Sequence, residues 1–147
     1  MARFRFRLQT LLHYREHLVE QAQQALAQLC AREQALLAEI NHCKQKLEYF
    51  DVQGTAWTAH ELQVHDAYRQ RLTEELTMLQ SKLAVLQLER EQMQYQLLER
   101  MSERDALEKM RQRHLEEHQR LLQRAEQHLL DDIAGRRSHH LGTISKQ

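Results

Sequence analysis

Between Leu12 and Phe50 one residue in every three or four falls on a single helical face: Leu12, Arg15, Val19, Ala22, Leu26, Leu29, Glu33, Leu36, Ile40, Cys43, Leu47 and Phe50. Ten of the twelve are apolar, with Arg15 and Glu33 the exceptions. A half-buried strand would alternate every second residue, so this period is that of a heptad seam. A seam needs a second helix to cover it, and the chain supplies one. Leu72, Leu76, Leu79, Leu83, Leu86, Arg90, Met93 and Leu97 repeat the same three-four spacing. After Met101 the pattern loosens into SERDALEKMRQRHLEEHQR, then returns as Leu121, Leu122, Ala125, Leu129 and Ile133 and ends at Gly135. The spacing predicts an all-α fold: two long helices, about 3–52 and 59–134, in an antiparallel coiled-coil hairpin with the second helix longer.

Composition supports few, long elements, since the chain has no proline and three glycines in 147 residues. The break falls in DVQGTAWTAHEL, at 53–58. Gly54 can take the left-handed conformation that closes a helix. Thr58 followed three residues later by Glu61 is a capping box, and Trp57 with Leu62 is spaced for a hydrophobic staple. With the corner there, residue i should lie beside about 110 minus i, which puts Phe4 beside Ala106. At 1.5 Å per residue the helices would measure roughly 75 Å and 110 Å, leaving some 40 Å of the second without an intramolecular partner. That stretch is expected to be the more mobile. Residues 136–147 read as a flexible tail.

Charge narrows the partners. Twenty-one basic residues balance twenty-one acidic ones, so no net field holds a phosphate backbone, and nucleic-acid binding is not expected. No apolar run approaches the roughly 20 residues that span a bilayer, and MARFRFRLQTLL, with arginines threaded through it, is not expected to act as a signal peptide. A cytoplasmic protein without direct membrane insertion follows. Cys30 and Cys43, roughly 20 Å apart along one helix, are beyond disulfide reach and read as inert.

The eight aromatic residues are unevenly spread. Tyr49, Phe50, Trp57 and Tyr68 gather at the corner, where they either plug the end of the coiled coil or offer a ring edge to a partner. Phe4, Phe6 and Tyr14 gather at the other end, with Tyr95 opposite Tyr14 by the hairpin register. Arg3, Arg5 and Arg7 in a first helical turn would oppose the helix macrodipole at about 0.3 to 1 kcal/mol each, which favours either a solvated terminus or contact with an acidic or carbonyl-rich partner. Arg100, Arg104, Lys109, Arg111, Arg113, Arg120 and Arg124 would extend that surface, although acidic residues are interleaved with them.

Enzymatic constellations are lacking. His114, Glu117 and His118 spell H-x-x-E-H, which matches an inverted zinc-protease pattern, and His13 and His17 share the same four-residue spacing. A catalytic zinc needs a third ligand and a walled cavity, neither of which an overhanging helix offers, so no metal site is expected and both pairs are ordinary helix surface. No glycine lies in a phosphate-cradling loop, and two helices cannot wall in a nucleophile and its base. No catalytic residue, metal or cofactor is expected.

The opening FRFRLQTLLHYRE, the two-helix layout, the length and the ending LLDDIAGRR resemble the FliJ-type flagellar export proteins, over nearly the whole chain. The sharpest part of the resemblance is the arginine and phenylalanine N-terminus followed by Leu8, Leu11, Leu12 and Arg15. The resemblance implies a non-enzymatic stalk of the flagellar type III export apparatus, similar in shape to the coiled coil of the rotary ATP synthase gamma subunit. It implies three partners: the hexameric export ATPase, the cytoplasmic domain of the export gate membrane protein, and export chaperones. The protein would then sit in the cytoplasm, peripheral at the cytoplasmic face of the inner membrane. The ATPase surface would comprise Arg3, Phe4, Arg5, Phe6, Arg7, Leu8, Leu11 and Arg15 with Leu122, Leu129, Ile133 and Arg136. The gate surface would comprise Glu39, Cys43, Lys46, Tyr49, Phe50, Tyr68, Leu72 and Leu79. A generic coiled-coil tether, dimeric through the overhang, and an injectisome stalk are the alternatives.

Overall fold

A computed structural model describes residues 3–52 and 57–144. It contains two helices, α1 (Gln9–Val52) and the longer α2 (Ala59–Ile144), and no strand among the described residues. Their contacts divide into two units, His17–Met101 and the pair Met1–Glu16 with Ser102–Gln147. Within each, a segment of α1 or its lead-in packs antiparallel against a segment of α2.

In the unit His17–Met101 the three-four seam closes as the spacing predicts. Val19, Ala22, Glu33, Ile40 and Cys43 of α1 and Leu72 and Leu79 of α2 are buried. Ile40, Cys43, Leu72 and Leu79 form one cluster, flanked by Leu36, Leu47, Phe50, Leu76 and Leu83. A pair of helices covers each side chain from few directions, so most seam positions are half-buried and a minority lose water almost fully. Cys43 packs in this core as a small hydrophobe and its thiol donates to the Leu72 carbonyl at 3.4 Å. Cys30 is exposed.

The polar exceptions on the seam find one another. Arg90 donates from Nη1 to Glu33 Oε2 at 2.6 Å, and Glu33 is only 6% exposed. Arg100 reaches the Leu18 carbonyl at 3.1 Å, giving a helical carbonyl a second donor. In the other unit, Arg15 pairs with Glu103.

The register differs from the expected one. Leu18 with Arg100, Phe50 with Tyr68 and Arg15 with Glu103 place residue i beside 118 minus i, about two turns further along α2, and the long Arg90 side chain reaches Glu33 from slightly beyond that register. The cause is local. Trp57, just before α2, lies back on His65 in its second turn, with ring centroids 5.2 Å apart. Phe50, near the end of α1, correspondingly makes its ring contacts with α2 at His65 and Tyr68.

The capping box forms: the Thr58 amide donates to Glu61 Oε2 at 2.9 Å and the Glu61 amide to Thr58 Oγ1 at 3.3 Å. Thr58→Ala is expected to destabilise the unit by about 1 kcal/mol, measurable as a lower urea midpoint at unchanged slope. Leu62 is exposed, and the ring contact of Trp57 is with His65. Gly54 lies outside the described residues.

Both outer helix ends depart from expectation. α1 begins at Gln9, not near residue 3, because Phe4 and Phe6 alternate and both turn toward α2. On a helix, residues two apart point to nearly opposite sides, whereas an extended chain puts them on the same one. At the other end α2 passes through Gly135 and on to Ile144, so the expected tail is helical through that residue. Gly135 does not take a positive φ, and nothing lies within 4 Å of where its Cβ would be. A glycine inside a helix costs about 1 kcal/mol but does not end it.

Candidate partner-binding surfaces

In the unit formed by Met1–Glu16 and Ser102–Gln147, Arg3 to Phe6 are non-helical and Arg7 and Leu8 form a turn into α1. Phe4 rests on the His118 ring at 5.6 Å and Phe6 on the His114 ring at 5.7 Å. Phe6 is buried and Phe4 half-buried, while Arg3, Arg5 and Arg7 face solvent. The segment is thus two-sided, with phenylalanines inward and guanidinium groups outward. None of the three arginines lies in α1, so they stand ahead of its first turn and not within it as expected.

Leu8 in the turn is half-buried, Leu11 in α1 is exposed, and Arg15 is held by Glu103. The α2 face beneath continues the seam through Leu107, Arg111, Leu115 and His118, all half-buried. The loosening expected after Met101 is therefore one of residue type, since Arg104 and Arg111 keep the seam positions with their aliphatic stems. From Leu121 to Ile144 every residue is exposed, including Leu122, Leu129, Ile133 and Arg136. The uncovered stretch starts near Leu121, not near Leu107 as the shorter register required.

In the unit His17–Met101, a groove of about 390 Å³ is lined by Phe50, Trp57, His60, Glu61, Val64, His65 and Tyr68. Phe50 stands at its centre, 4.7 Å from the Tyr68 ring, 5.2 Å from His65 and 6.2 Å from Tyr49. His65 Nε2 lies 3.4 Å from the Phe50 carbonyl. An ion pair between Arg69 and Asp51 at 3.2 Å ties the two helices beside it. Of the gate residues implied by the family resemblance, Glu39, Lys46, Tyr49 and Tyr68 are exposed and Phe50 is half-buried. Cys43, Leu72 and Leu79 are consumed by the core and cannot touch a partner while the helices stay paired.

The histidine pairs have ordinary neighbours. His13 lies 3.2 Å from Gln9 and 3.4 Å from Glu16, and His17 3.1 Å from Gln21. The imidazoles of H-x-x-E-H are the platforms on which Phe6 and Phe4 sit. No group of three or more His, Cys, Asp or Glu among the described residues is placed to hold a metal ion. No helix among them is long and apolar enough to cross a membrane. Sequence reasoning missed these ring contacts, although the alternation of Phe4 and Phe6 and the four-residue spacing of the histidines were both visible.

A family model described as the flagellar FliJ protein matches residues 4–142. No curated protein and no solved structure matches.

Proposed function

The chain belongs to the flagellar FliJ family and is thereby a component of the flagellar export apparatus, and from that premise we propose that it is the non-enzymatic stalk between the export ATPase and the export gate. The outward arginines carry this reading. Arg3, Arg5 and Arg7 stand on a segment anchored by Phe4 and Phe6, so the backbone that presents three positive charges is already held in place before binding. A hexameric ATPase ring offering carboxylates or carbonyls would meet them, with Leu11 and the exposed stripe of α2 supplying apolar contact.

A single chain inside a six-fold ring touches its subunits unequally, and that inequality lets the stalk favour one ring state at a time. The gate contact falls to the other unit, through Glu39, Lys46, Tyr49 and Tyr68 together with the aromatic groove around Phe50. Aromatic rings beside an apolar hollow are the usual anchors of protein interfaces. Handling of export chaperones and a position at the cytoplasmic face of the inner membrane belong to the same reading.

The test is stimulation of the cognate export ATPase by the purified chain. Arg5→Ala combined with Arg7→Ala is expected to reduce stimulation at least about tenfold, since charge-assisted hydrogen bonds contribute more than neutral ones. Helical circular dichroism should not change, because neither arginine lies in a helix. Stimulation equal to that of the unaltered chain would overturn the ATPase contact.

A further inference from the structure

Within the unit His17–Met101, α2 carries a second apolar stripe on the side turned away from α1. Where Leu79, Leu83, Leu86 and Arg90 hold the seam, Met78, Ser81, Val85, Leu88, Gln92 and Tyr95 repeat the same three-four spacing, and at about 100° per residue they fall on the opposite half of the helix. Met78, Val85, Leu88 and Tyr95, with Leu98 beside the end of the stripe, are each between 58% and 75% exposed. Neither the ATPase surface nor the gate surface includes them. A three-four stripe left open on a helix is a seam for another helix.

Charge identifies the occupant. The charged side chains that border the stripe or close its ends, over 74–99, are five acids, Glu74, Glu75, Glu89, Glu91 and Glu99, and one base, Lys82. None of the five carboxylates is in an ion pair among the described residues. Arg90 and Arg100 are turned to α1, where they hold Glu33 and the Leu18 carbonyl, and Arg71 stands a full heptad before Met78. A hollow of about 440 Å³ at the far end of the stripe is lined by Glu91, Gln94, Tyr95 and Leu98. There the aliphatic stem of a lysine or arginine would lie on the ring and the leucine while its charge met Glu91. A second copy of this face would set the same excess of carboxylate against itself, so the occupant is a different protein.

We propose that the outer face of α2 over 78–98 docks an amphipathic helix of another protein, whose apolar seam is bordered by lysine and arginine. This inference stands apart from the ATPase and gate readings and is tested without either partner.

Fluorescence anisotropy of the full chain with two labelled three-heptad peptides is the test. Both carry leucine at the two seam positions of each heptad; one has lysine at the bordering positions and the other glutamate. The chain has no net charge, so a preference between them reports local charge. The lysine peptide should bind at least about tenfold more tightly than the glutamate peptide, by a margin that shrinks as salt rises. Val85→Gln with Leu88→Gln and Tyr95→Gln should weaken its binding at least about tenfold at unchanged circular dichroism, since all three side chains are exposed and glutamine suits a helix. Glu89→Lys with Glu91→Lys should bring the two peptides within about threefold of each other, whereas Glu126→Lys with Asp132→Lys, on the bare end of α2, should leave the preference as it was. No binding up to several hundred micromolar, equal affinity of the unaltered chain for the two peptides, or a preference lost through Glu126 and Asp132 in place of Glu89 and Glu91 would overturn the proposal.

Discussion

Leu72→Ala is expected to lower the unfolding free energy of the His17–Met101 unit by about 3 kcal/mol, the middle of the range for a buried leucine replaced by alanine. Leu72 is 3% exposed and packs with Ile40, Cys43 and Leu79 in a cluster from which this helix pair excludes water. Part of the loss is transfer free energy and part is the void left against Cys43, whose thiol bonds to the carbonyl of the same residue. The same substitution at Leu88, which is exposed, should cost less than about 0.5 kcal/mol. Urea unfolding followed by circular dichroism separates the two, and equal losses would show that the cluster is not the centre of stability.

Glu33→Ala should cost nearly as much, about 2 to 3 kcal/mol, for a different reason. It strands Arg90, whose Nη1 loses its carboxylate and whose buried Nε already lacks a partner. Removing one member of a buried pair leaves an uncompensated charge, a loss of about 3 to 5 kcal/mol when burial is complete; Arg90 is a third exposed, which lowers the figure. Replacing both residues, as Glu33→Leu with Arg90→Met, should be neutral or stabilising, since two desolvated charges give way to apolar contact. If the double variant were the less stable, the pair would contribute net stability, beyond holding the register.

Much of this architecture is legible in the sequence. The three-four spacing from Leu12 to Phe50 identifies α1 and its buried face, and Thr58 with Glu61 places the start of α2 within a residue. Other features follow from tertiary contact. Register is set by contacts such as those of Phe50 with His65 and Tyr68, which no pairwise spacing encodes. The seam beyond Met101 is carried by Arg104, Arg111 and His118, polar residues whose buried portions are invisible to hydropathy. FRFR is too short for its two-residue period to outweigh the helical pattern that follows, yet it decides where α1 begins. For the candidate surfaces, the arginines were recognisable as outward charge, whereas Cys43, Leu72 and Leu79 carry opposite demands: a residue on the seam satisfies its helix partner first.

The lead-in to α1 also has a parity. Because Phe4 and Phe6 face α2 while Arg3, Arg5 and Arg7 face away, loss or gain of one residue within the non-helical stretch Arg3–Phe6 would exchange the two sets on one side of the change. Guanidinium groups would then meet imidazoles, and bare phenyl rings would meet water. Evolution can lengthen or trim this stretch only in steps of two, and single-residue indels there should be scarce among chains that keep the strap.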